Sequence, residues 1–489
     1  LYSELGYERF WAGRTTDARV AFSRALERHP HATRIRLYYA ATFVGRRWLD
    51  PLRHVQRSLT RECRPAPDAS RNLTRDTHMQ RARSTLVRSL RRIDDAASAL
   101  GQTKRRVLFE GASPLSAAVS RTVLDVLRCD SRVELWFTTH DTAWSASAIF
   151  GDGDTRAHVV PASSLRWKKF DAYLNTDFWN MTWLPRAGRR VHLFHGVAGK
   201  YDLDAPTRIA PVVASFDRLM FPNGDRLKRY ADAGLVDPDS PTAALVGYPK
   251  VDCLVDGSLD RARIQRELGL DPAAPTVIYA PTWSPHSSLN ASGEAIIASL
   301  ARTGANVMVK LHDRSFDTSE RASGGVDWRT RIERVCAEHG AHLARGFDAG
   351  PYLYAADVLV TDHSSVGFEF MLLDRPVVVI ECPELIEKAR INPEKVALLR
   401  SGADVASPRA AALVVQRALS DARRHSTRRR EIAGELFYRP GTATARAVDC
   451  VYGLLGLAAP DAIPHSSPVF APANTSLISG YQTRTSYHA

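Results

Sequence analysis

The sequence predicts an α/β protein, two doubly wound parallel-sheet domains in tandem behind a helical segment. Three observations carry that prediction. From residue 105 onward, short apolar runs alternate with helical stretches, the pattern of buried parallel strands covered by helices on both faces. The alternation pauses near residues 250–258 and then restarts, which divides it into two sheets. Before residue 61 the apolar residues instead recur at helical spacing.

Size and composition set the bounds. At 489 residues the chain exceeds one ordinary core, and a span of roughly 100–200 residues per domain predicts two or three units. Its hydrophobic content of 44% is that of a globular protein. No run approaches the roughly 20 apolar residues of a membrane span, and the start lacks a signal-peptide pattern. The expected location is therefore cytoplasmic, peripheral on the inner face of the membrane. The first residue is Leu1, inside what reads as a repeat, so a fragment missing its true start is expected. Six cysteines, at 63, 129, 253, 336, 382 and 450, occur singly with no CxxC, which argues against a zinc ribbon, a redox pair or a disulfide framework. No clustered carboxylates and histidines predict a metal site. The net charge of +13 makes an anionic partner plausible. No nucleic-acid partner is expected, because no RRM, zinc-finger or basic-zipper pattern is present.

The elements follow in chain order. Residues 1–60 resemble a tetratricopeptide-like helical segment, with Tyr2, Leu5, Gly6, Ala18, Phe22, Ala25 and Pro30 at the repeat's offsets. Such a segment implies a protein partner. Residues 61–104 read as a linker, "RECRPAPDASRN", and an amphipathic helix in which Leu86, Leu90, Ile93 and Ala97 lie opposite Arg88, Arg91 and Arg92. That helix suits either an anionic membrane surface or a neighbouring domain. Residues 105–255 carry "RVLFEG", "VELWFTT", "DAYLNTD", "RRVHLFHG", "RLMFPN" and "AALVGYP" as strands. Residues 256–456 carry "TVIYAPTW", "ANVMVKLHD", "AHLARG", "DVLVTDHS" and "PVVVIECP". The tail, 457–489, lacks periodicity and is rich in Pro, Ser, Thr and Ala, which predicts disorder.

Ligands of doubly wound sheets bind beyond the carboxyl ends of the strands. Polar residues recur there: His195, Thr282 and Trp283, His312, and the "TDHSS" of Thr361 to Ser365. Taken with "LFHGVAGKYDL", "VGYPKVD", "YAPTW", "VKLH", "ADVLVTDHSSVGFEFMLLDRPVV" and "FYRPGTATARAV", they make residues 190–450 resemble the CDP-glycerol glycerophosphotransferase family of teichoic-acid primases and polymerases. The resemblance implies a GT-B-like architecture, two Rossmann-like domains facing a cleft. It also implies a CDP-activated alditol donor, a lipid-linked polyol phosphate or glycan acceptor, and no cofactor. On that resemblance His195 is the expected base toward the acceptor and His312 the support for phosphate or leaving group. Imidazole suits such work because it titrates at about 6.5.

Ser364 and Ser365 would present hydroxyls to the diphosphate at the start of a helix, although a serine there also suits a simple N-cap. Thr361, Thr282, Trp283, Glu369 and Arg446 complete the expected donor site, with Trp283 stacking on cytosine or closing the core, Glu369 reaching ribose or a histidine or standing as a solvated side chain, and Arg446 binding phosphate or forming a surface salt bridge. Lys310 is expected to turn away from His312 by strand alternation. Three departures from the family pattern, Ser284, Asp313 and His363, leave the donor's identity open. A nucleotide-sugar glycosyltransferase or UDP-sugar epimerase on the same scaffold, and an inactive tetratricopeptide scaffold, are the alternatives.

Overall fold

The computed structural model describes residues 2–11, 14–28, 33–43, 104–140, 144–151, 157–165, 168–177, 184, 187–199 and 206–460. The linker and basic helix expected before residue 104, Pro30, and the tail beyond residue 460 lie outside the described residues. The chain divides into two compact units, Leu1–Arg105 with Ser163–Lys169, and Arg106–Ala162 with Phe170–Ala489.

The first unit contains the helices Tyr2–Trp11, Thr15–Arg28 and Thr33–Ala41. Ala18, Phe22 and Ala25 form its core with Phe10 and Ile35. The small residues have a steric reason. A Cβ at Gly6 would lie 2.5 Å from the Phe22 ring, so only glycine lets these two helices approach so closely. Tyr38 of the third helix closes the cluster, edge-on to Phe10 at 5.3 Å.

The second unit contains two parallel sheets. The strands of the first are β1 (Arg105–Glu110), β2 (Val133–Thr138), β3 (Ala157–Val159), β4 (Ala172–Asn175), β5 (Arg189–Leu193), β6 (Arg218–Phe221) and β7 (Ala243–Leu245). Their order is β3-β2-β1-β4-β5-β6-β7. The second sheet is built from β8 (Thr276–Tyr279), β9 (Asn306–Val309), β10 (His342–Leu343), β11 (Val358–Thr361), β12 (Val377–Ile380) and β13 (Asp404–Ala406). It is ordered β10-β9-β8-β11-β12-β13. Strands such as β8, β11 and β12 are buried along their whole length, as expected where helices cover both faces. This is the GT-B-like arrangement of two α/β domains.

The two sheets share one hydrophobic core. Val107 and Leu193 from the first, with Val123 from the helix that covers it, belong to the same buried cluster as Ile278, Leu359 and Val377 from the second. The chain also crosses back. The last helix, Ala443–Leu455, packs on the first helix of the opposite sheet, Pro114–Cys129, where the Thr444 hydroxyl donates to Thr122 Oγ1 at 3.0 Å. The final helix is thus joined to the first sheet's layer, not only to the domain that precedes it in sequence. Strand ends from both sheets are held in one frame.

Candidate active site

β5 ends at Leu193, and the chain turns at His195 and Gly196, where φ of +72° suits glycine. The turn is clamped from two sides. Arg226, from the helix Gly224–Asp232, donates to the carbonyls of His195 (3.3 Å) and Gly196 (3.1 Å), and Tyr248 Oη accepts the Gly196 N–H at 3.2 Å. The His195 ring is about half exposed. Its Nδ1 lies 2.7 Å from the Thr176 carbonyl, and a carbonyl only accepts, so Nδ1 carries the proton and Nε2 presents a lone pair. Behind the ring, Asp177 Oδ1 stands 3.6 Å from Nδ1.

His312 follows β9 and begins the 3-10 turn Asp313–Phe316. Nδ1 of His312 is paired with Asp313 Oδ1. Asp313 is buried, and burial alone would push its carboxyl up; His312, the Ser113 hydroxyl and the Arg314 N–H outweigh this and hold it well below the ordinary carboxylate range. Trp283 flanks His312, with ring centroids 6.1 Å apart, and the Arg314 guanidinium sits 5.1 Å from the centre of the indole.

Both histidines are tied to the same structural feature. The Ser116 hydroxyl, in the first turn of Pro114–Cys129, donates to Asp177 Oδ2 at 3.2 Å. One residue earlier, the Leu115 N–H donates to Asp313 Oδ2 at 3.4 Å. One helix start, from the first sheet's layer, therefore contacts the carboxylate behind each imidazole. A small pocket lined by Glu110, Ser116, Asn175, Thr176 and several apolar side chains adjoins this network.

Ser365 lies close to the His195 turn. A Cβ at Gly196 would lie 4.0 Å from Ser365 Oγ. Ser365 is the residue preceding the helix Val366–Met371, but its backbone is already helical and its side chain makes no cap bond. Ser364 is partly exposed like Ser365. Asp362, fully buried, braces the opposite loop: it accepts the Thr282 N–H at 2.8 Å and both the N–H and hydroxyl of Ser288, at 3.1 and 2.9 Å.

Three residues expected at the donor have protein partners. The buried Thr361 hydroxyl donates to the Ala280 carbonyl at 2.6 Å, joining β11 to the end of β8. Glu369 is buried and its Oε2 lies 2.5 Å from Lys250 Nζ. Arg446 donates to the carbonyls of Val246, Tyr438 and Arg439 and to Thr442 Oγ1, so it fastens the turn before the last helix to the end of β7. Neither phosphate contact nor a surface salt bridge describes these bonds. His195, Ser365, Trp283 and His312 remain as the side chains at the strand ends, with Thr282 buried beside Trp283.

The family described as CDP-Glycerol:Poly(glycerophosphate) glycerophosphotransferase matches residues 217–385. The matched stretch is well under half of the chain. It includes Thr282, Trp283, His312, Thr361, Ser364, Ser365 and Glu369; His195 and Arg446 lie outside it. No curated protein matches the chain. Among solved structures, a variant of the wall teichoic acid polymerase TagF is similar with a TM-score of 0.55 at 14% identity, over 78% of this chain and 99% of that one. A second TagF variant, soaked with CDPG for 30 minutes, is similar with a TM-score of 0.56 at 13% identity, over 79% and 99%. At these identities the likeness is one of fold. The chain is thus similar to that family over residues 217–385 and shares a GT-B-like fold with these structures.

Sequence reasoning passed over Arg226, Tyr248, Lys250, Asp252 and Asp177. Three of them stand in the quoted block "VGYPKVD", whose polar residues inside an apolar motif were the available signal. Their partners, Gly196, Glu369 and Gly441 to Thr444, are far away in sequence. Among the described residues no group of His, Cys, Asp and Glu is arranged to hold a metal ion, and no helix is long and apolar enough to cross a membrane.

Proposed function

We propose that the chain transfers glycerol phosphate from CDP-glycerol, or a related CDP-alditol, to a hydroxyl of a membrane-associated polyol or glycan acceptor, releasing CMP. What supports this reading is the pair of imidazoles at the ends of β5 and β9, both joined through carboxylates to one helix start, beside the serines of the family-matched segment. In the reaction the acceptor oxygen bonds to the β-phosphorus while the bond to the bridging oxygen of CMP breaks. His195 Nε2 takes the acceptor proton, and His312 faces the departing phosphate. The serine hydroxyls donate to non-bridging oxygens, and Trp283 offers a face to the base. Such donors stabilise the charge that develops in the transition state. The TagF variant soaked with CDPG makes a CDP-linked donor the first to try.

In this reading the product is a cell-surface polymer, and the enzyme works peripherally at the cytoplasmic face, where its net charge of +13 favours an anionic surface. The helices of residues 2–41 would recruit a protein partner.

The test is a donor panel of CDP-glycerol, CDP-ribitol and UDP-sugars with a purified lipid-linked acceptor, scored by nucleotide released. CMP release is expected to fall by about 10²–10⁴ in His195→Ala and in His312→Ala, with unchanged circular dichroism. Turnover of UDP-sugars alone, or full CMP release by both variants, would overturn the reading.

A further inference from the structure

We propose that Asp313 is a positioning residue that fixes the tautomer of His312 and fastens that ring to the first turn of Pro114–Cys129. The inference rests on the transferase reading above and goes beyond it, since Asp313 stands where the sequence departs from the resembled family pattern.

The geometry is specific. Asp313 Oδ1 faces His312 Nδ1 and also accepts the Arg314 N–H at 2.8 Å. His312 Nδ1 lies 3.1 Å from that same N–H. One amide hydrogen therefore faces two acceptors, and the carboxylate decides between them. With Asp313 present, the Arg314 N–H is taken by Oδ1 at the shorter distance, and Nδ1 of His312 is free to donate its own proton to the carboxylate. The lone pair is then on Nε2, the nitrogen directed away from this anchor. Without the carboxylate, the Arg314 N–H is left with Nδ1 as its acceptor, and the proton moves to Nε2. The ring would then present a donor where it had presented an acceptor.

Oδ2 does separate work. It accepts the Leu115 N–H, and the Ser113 hydroxyl also bonds this carboxyl. The ring's orientation is thereby referred to a helix of the first sheet. Asp177, behind His195, is bonded to Ser116 of the same turn, so the two rings share one reference point although they hang from different sheets. A carboxylate that orients an imidazole through Nδ1 is a general device for setting its tautomer. The charged groups nearest this pair are Lys310, which lies within electrostatic reach of Asp313, and Arg314.

The experiment uses the full chain labelled with ¹⁵N-histidine, without substrate, at about pH 8.5, roughly two units above the ordinary imidazole range; His312→Gln assigns the resonances. The parent is expected to show His312 protonated at Nδ1, and Asp313→Ala to show it protonated at Nε2. Asp313→Glu keeps a carboxylate, the only side-chain group that accepts at both oxygens, and is expected to retain the parental tautomer. In turnover with CDP-glycerol, kcat of Asp313→Ala is expected to fall about 10–100-fold, the range for losing a group that orients a working side chain, while KM for the donor stays within about twofold; Asp313→Glu recovers most of the loss. An Nδ1-protonated His312 in Asp313→Ala overturns the proposal, and so does an Nε2-protonated His312 in Asp313→Glu, a variant that keeps the carboxylate and so tests the idea even where alanine unfolds the chain. Because the tautomer is read without donor, failure of the transferase reading would appear separately, as absent CMP release by a parent with the expected spectrum.

Discussion

Lys310 donates to the Leu311 carbonyl at 2.7 Å, two residues before Asp313. Loss of water pushes its ammonium down to about 8; Asp313 and Asp348 oppose the fall and Lys250 adds to it. Between pH 8 and the ordinary lysine value of 10.5, the unfolded chain holds a proton at this position that the folded chain has lost. Stability therefore rises with pH across that window, and below pH 8 the full penalty of desolvating the charge applies. Lys310→Met is expected to raise the urea midpoint at pH 7 and to lose most of that gain by pH 10, a comparison that equilibrium unfolding at the two values makes directly. What the sequence told about such residues was their type and their place at a strand end. Glu369, Arg446 and Thr361 were candidates for donor contacts on those grounds, and each has a protein partner set by chain packing: Lys250, three backbone carbonyls with Thr442, and Ala280. Alternation along a strand tells which way a side chain leaves the backbone, not which group meets it there.

The segment Pro249–Leu254, a 3-10 helix after Tyr248, joins the two halves as an element. Tyr248 holds the His195 turn, and burial raises its phenol to about 12, so it stays neutral at physiological pH. Asp252 accepts the N–H groups of Gly441, Ala443 and Thr444, at 2.8, 3.2 and 2.7 Å, and so receives the free amides at the start of Ala443–Leu455. Burial nevertheless pushes the Asp252 carboxyl up. Asp252→Ala is expected to cost about 1–3 kcal/mol, since it leaves buried N–H groups unpaired, and to expose the last helix to limited proteolysis; an unchanged digestion pattern would contradict that role. Most strands were legible in the sequence because a fully buried parallel strand reads as an apolar run between turns. β3 and β13 were not. Each has three residues and no continuous buried run, β3 centring on the exposed His158 and β13 on the exposed Val405, so neither shows as an apolar stretch. In β13 the first residue is Asp404, which pairs with Arg417.

Across the whole molecule, the sheets are joined by polar contacts as well as by the shared core. The Lys250–Glu369 pair links the 248–252 connector to the serine-bearing segment. Lys395 meets Asp225 at 3.0 Å, and Asn223 donates to the carbonyls of both Val197 and Leu436. Breaking the buried pair from one side leaves an unpaired charge, so Lys250→Met is expected to destabilise by about 3–5 kcal/mol, whereas Lys250→Met with Glu369→Leu restores most of that loss. A double-mutant cycle by chemical denaturation measures the coupling, and additive losses would show that the pair does not act as a unit. The same scale separates what each source of information determined. By itself the sequence determined the fold class, the succession of two sheets, the strand-end positions of His195, His312 and the serines, and the resemblance to a family, because apolar periodicity and short motifs are local properties of the chain. Only the tertiary structure decided that one helix start anchors the carboxylates behind both histidines, and that Lys250, Asp252 and Arg446 serve the frame. Those outcomes depend on contacts between residues some 60 to 200 positions apart, and packing, not local pattern, brings such residues together.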